Sequence, residues 1–80
     1  MLLSSSTKEL FQLANEAWEL SNLSYLKTRL QNQKTYLIKV ESQIATARTY
    51  DFKIQRENKK QEVLQDIAQI EMQIRNIEHL

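Results

Sequence analysis

The chain is 80 residues long, with eleven Lys+Arg against ten Asp+Glu, a net charge of +1, and no glycine, proline or cysteine. About nine or ten glycines and prolines belong in a chain of this length at average usage, so the usual turn formers are missing and a few long helices are the expected form. Glycine-rich phosphate loops, glycine-elbow nucleophiles, disulfides and thiolate metal sites are excluded with them.

Met1-Leu2-Leu3 runs straight into Ser4-Ser5-Ser6, so no signal-peptide hydrophobic region is read, and residues 1–5 are expected to be disordered. Ser6-Thr7-Lys8-Glu9 has the form of a capping box. From there Leu10, Phe11, Ala14, Ala17 and Trp18 recur on one helical face, which predicts a short helix over about 7–20 with Trp18 in its core. A second series follows in a shifted phase: Leu23, Leu26, Leu30, Gln33, Leu37, Val40, Ile44 and Ala47. Its alternating spacing of three and four is that of a coiled-coil seam and predicts a helix over about 22–48. The phase slip falls across Ser21-Asn22, two residues that compete with helix through their own backbone, so a bend is expected there. A third series, Val63, Ile67, Ile70, Ile74 and Ile77, predicts a last helix over about 51–80.

Two turn positions fit seams two and three. A turn near Thr49-Tyr50-Asp51 sets Leu30 against Ile70, Leu26 against Ile74 and Leu23 against Ile77, with Lys34 near Asp66 and Arg29 near Glu71. A turn near Asn58 sets Ile44 against Ile70 instead. The first is preferred because it uses the whole chain and ends residue 80 opposite residue 20. Charge supports folding back: residues 1–26 carry −2, residues 27–60 carry +6 and residues 61–80 carry −3. The fold expected is all-α, a long antiparallel helical hairpin with a short N-terminal helix. Such a narrow three-helix unit leaves seam residues uncovered, so self-association, most simply an antiparallel homodimer, is expected as well.

Catalytic groups are scarce. His79 is the only histidine and stands next to last, so zinc motifs and imidazole-activated nucleophiles cannot be assembled. Its position suits a cation at a helix C-terminus. Glu16 and Glu19 read as a solvated face. No enzyme activity, cofactor or metal is expected. The longest apolar run, Tyr36-Leu37-Ile38, is far short of the ~20 residues of a membrane span, so no membrane partner is expected and the chain is read as cytoplasmic.

Two groups remain as candidate sites. On the preferred turn Val40, Ile44, Tyr50, Phe52 and Ile54 gather around the hairpin tip as a candidate docking patch for a protein partner. Arg48, Lys53, Arg56, Lys59 and Lys60 form a basic stripe, with Lys53, Arg56 and Lys60 on one helical face. The function expected is a protein-interaction module: an adaptor, small chaperone or assembly factor. The alternative is a nucleic-acid-associated protein using the stripe around residues 48–60. Gln33, a polar residue in a seam, is of the kind that fixes register.

Overall fold

The computed structural model describes residues 5–79, with side chains from residue 7 onward. Two helices make up almost all of it: α1, Ser5–Ala45, and α2, Tyr50–Glu78. They pack antiparallel as a hairpin rod of 70 × 18 × 16 Å. The described residues contain no strand.

The expected short N-terminal helix and the second helix are one. Ser21 and Asn22 sit inside α1, and the bend placed there is absent. Each residue costs at most about 0.7 kcal/mol against alanine in a helix, and with no glycine or proline beside them the backbone ladder continues. The three-helix unit is therefore a two-helix hairpin. Residues 1–4 of the expected disordered start lie outside the described residues, as does Leu80. Ser5 and Ser6 are helical, so the capping box does not mark the helix start, and the Ser6 side chain is outside the described set.

The phase slip is instead a change of face on a continuous helix. Extending the α1–α2 seam backwards from Leu26 and Leu23 at its own spacing reaches Glu19, Glu16, Gln12 and Glu9. Those polar positions give a facing helix nothing to bury, and α2 ends at Glu78. Residues 5 to about 19 thus overhang as an arm with no helix beside them.

The turn spans residues 46–49, just ahead of its expected place, and Asn58 lies within α2. The Thr46 amide donates to the Ser42 carbonyl at 3.1 Å and its hydroxyl to the same oxygen at 2.9 Å, while the Ala47 amide donates to the Ile44 carbonyl at 3.3 Å. These bonds satisfy carbonyls that a helix end leaves bare. Thr49 then turns to extended backbone, φ −123° and ψ 149°, and its hydroxyl accepts the Phe52 amide at 3.2 Å as the N-cap of α2. Asp51 adds a negative charge to that first turn. No described residue takes a positive φ, so the corner needs no glycine. Thr49→Ala is expected to lower the stability of the hairpin by about 0.5–2 kcal/mol in urea titration.

The core runs along the seam. Leu26, Ile70 and Ile74 form a buried cluster, with Leu23, Leu30 and Ile77 packed on it. Val40, Val63 and Ile67 are buried nearer the turn. Gln33 Nε2 donates to Asp66 Oδ2, and Arg29 Nη2 reaches Asp66 Oδ1 at 3.1 Å. Asp66 is therefore held by Gln33 and Arg29, and not by Lys34 as expected; Arg29 is turned to Asp66 rather than Glu71. A turn ahead of its expected place brings Arg29 within reach of Asp66 across the hairpin. Lys27 and Glu78 pair at 3.3 Å at the open end, exposed to solvent and so worth little.

Candidate functional site

The candidate tip patch is divided by the fold. Val40 is fully buried and is core, not a docking residue. The Arg56–Gln43 bond sets Lys59 and Lys60 at its level, and both are half-buried. Long basic side chains at that level can lay their stems on apolar surface while their heads reach water. Ile44 is half-buried and borders a groove with Glu57, Asn58, Lys60 and Gln61. Tyr50 and Ile54, four residues apart, share the outer side of α2 and are exposed. Phe52 lies about 160° round the helix from them, on the side of the α1 seam.

The basic stripe is partly spent within the chain. Arg56 Nη1 donates to Gln43 Oε1 at 3.2 Å, and its guanidinium carbon lies 5.7 Å from the Phe52 ring centroid. Lys59 pairs with Glu62 at 3.3 Å. Arg48 and Lys53 are exposed, Lys60 is half-buried, and none of the three makes an ion pair among the described residues.

A third surface lies along α1, and of its members Trp18 is the one expected in a core. Trp18, expected in the core of its helix, is 66% exposed; Phe11 is 61% and Tyr25 65% exposed. In a continuous α1 these three stand at i, i+7 and i+14, one above the other. Ala14, Ser21 and Thr28 follow each ring by three residues, so the six alternate three and four as a second seam. At 3.6 residues per turn this seam lies about 160° from the one that meets α2, on the far side of the helix. Leu10 and Ala17 flank it, and Leu13 and Leu20 widen the apolar band along the arm. Glu9, Glu16 and Glu19 stand off it: Glu16 accepts from Gln12 Nε2 at 3.3 Å, and Glu16 and Glu19 border the groove at the open end of the hairpin.

This surface offers apolar rings between small side chains and no group poised for bond making or breaking. Among the described residues no group of three or more His, Asp or Glu is placed to hold a metal ion, and no helix is long and apolar enough to cross a membrane. His79 caps the C-terminus of α2, its amide donating to the Arg75 carbonyl at 3.1 Å. Compared with protein-family models, curated proteins and solved structures, the chain gives no match.

Proposed function

We propose that the chain is a non-enzymatic protein-interaction or structural module, working as an adaptor, small chaperone or assembly factor. The observation that carries this reading is the seam of Phe11, Trp18 and Tyr25, two-thirds exposed on the face of α1 turned away from α2. Small domains rarely leave contiguous apolar bands uncovered, and a helix offering anchors at heptad spacing suits a partner helix or groove. The hairpin supplies the rigid support, since a lone arm of this length is marginal in water. The same exposed face supports self-association. The lack of cysteine suits a reducing compartment, and we place the chain in the cytoplasm.

The test is affinity capture on the immobilised chain, wild type against Trp18→Ser. Proteins bound by the wild type and lost with the variant are the expected result. If no bound protein depends on Trp18, the reading fails. Binding to a random duplex with an affinity that falls steeply with salt would favour the basic stripe instead, through Arg48, Lys53 and Lys60.

A further inference from the structure

We infer that the occupant of the Phe11–Trp18–Tyr25 face is the same face of a second copy, packed antiparallel about a two-fold axis between residues 19 and 20. In an antiparallel coiled coil the first seam position of one helix meets the second seam position of the other. Here that rule sets every ring against a small side chain: Phe11 on Thr28, Ala14 under Tyr25, and Trp18 on Ser21, each contact made twice. The six positions are closed under the operation, so no ring is left over and none meets another ring. A two-fold interface requires this self-complementarity, the same patch serving on both copies. A parallel pairing would stack Trp18 on Trp18 and Ala14 on Ala14, alternating crowded layers with empty ones.

Charge selects the same register. Residues 5–19 hold Lys8 against Glu9, Glu16 and Glu19, a net −2, and residues 20–34 hold Lys27, Arg29 and Lys34, a net +3. The antiparallel pairing lays the first stretch on the second in both directions. Sliding it by one heptad, so that Ala14 meets Trp18, lays the two acidic arms on each other. All six seam positions and the flanking Leu10 and Ala17 are uncharged, the acidic residues are turned away, and Arg29 on the other flank is already paired with Asp66. A covered ring buries about 150–250 Å². With two-thirds of each still exposed, three rings supply on the order of 400 Å² per copy, about half the ~800 Å² per partner of a standard interface. Leu10, Ala14 and Ala17 add to that, and the open ends of both hairpins are left accessible.

Self-pairing presupposes the interaction-module reading, yet the two fail separately. Sedimentation equilibrium of the full chain across the micromolar range is expected to show a reversible dimer. Emission from Trp18, the single tryptophan, should shift to the blue as the dimer forms. Trp18→Ala and Ser21→Lys should each weaken association about thirtyfold or more, as loss of a central aromatic anchor or a charge placed under it does. Circular dichroism of both variants should keep the hairpin's melting transition, since neither side chain faces α2. Orientation is read from a nitroxide attached through Glu9→Cys, a unique thiol in a cysteine-free chain. The antiparallel pair places two such labels roughly 30–40 Å apart and a parallel pair roughly 20 Å. A monomer at every concentration, a dimer indifferent to both substitutions, or the shorter label distance overturns the pairing. A monomer that still captures another protein through Trp18 overturns the pairing alone and leaves the interaction-module reading standing.

Discussion

Ile70→Ala is expected to destabilise the hairpin by about 2–5 kcal/mol, the largest stability loss of any single truncation in the chain. Ile70 is 1% exposed at the centre of the cluster with Leu26 and Ile74, so removing three carbons forfeits their burial and leaves a void between two helices that have no third to close over it. Leu30 packs on that cluster from α1 but is only half-buried, so Leu30→Ala falls toward the low end of the same range. The pair should not be additive. Contacting residues couple by about 0.5–3 kcal/mol, and a urea-denaturation double-mutant cycle on Leu30 and Ile70 should return a value in that range. The same cycle on Ile44 and Ile70 should return less than about 0.5 kcal/mol, because Ile44 lies toward the turn beside Glu57 and Gln61. Coupling found only in the Ile44 pair would place the turn near Asn58 and overturn the hairpin register.

Ser21→Pro is expected to melt the arm and spare the hairpin. A proline inside a helix removes an amide bond and clashes with the carbonyl four residues back, about 3 kcal/mol or more. Within one copy no helix packs along the segment upstream of residue 21 beyond its last turn, and residue 21 itself lies in the proposed self-pairing seam. Isolated helices of about 12–15 residues are marginal in water. Circular dichroism should therefore lose roughly a fifth of its helical signal, the share of the residues ahead of Ser21. The cooperative melting transition should stay close to that of the wild type, since Leu23 through Ile77 are untouched. Were the chain bent at Ser21-Asn22, proline would be accommodated there with little change in signal.

Both expectations turn on how far sequence patterns reach. The seams of Leu23 to Ile44 and Val63 to Ile77 were legible because burial on one face imposes a three-four spacing that survives in the side chains. Of the two turn placements the seams allowed, the structure takes the one near residue 50, at residues 46–49, and Gln33 in its seam found its partner in Asp66. The break at Ser21-Asn22 was misread because a phase slip admits two causes, a bent backbone or a face that changes on a continuous helix. Propensity differences of a few tenths of a kcal/mol do not separate them. That error hid the third surface. With a break at residue 21, Tyr25 belongs to another helix, and the heptad line from Phe11 through Trp18 to Tyr25 cannot be drawn. Val40 was misplaced for a different reason: it is buried level with a polar stretch of α2, and an apolar pattern assigns it no partner there. The Thr49 cap could have been found, since a threonine followed two residues later by aspartate is a common helix start.

The arm and the turn stand at opposite ends of one rod, and that fixes the distance between them. From Trp18 to the last turn of α1 is 27 residues of continuous helix, about 40 Å. Whatever is held on the arm and whatever meets Tyr50 and Ile54 are kept apart by that length, with no flexible joint between them among the described residues. The reach is also quantised. Seven residues added to both helices between the two ends would lengthen the strut by about 10 Å and return each seam close to its original face. An addition of five residues would swing the far end about 140° round the axis and change the angle between the two faces.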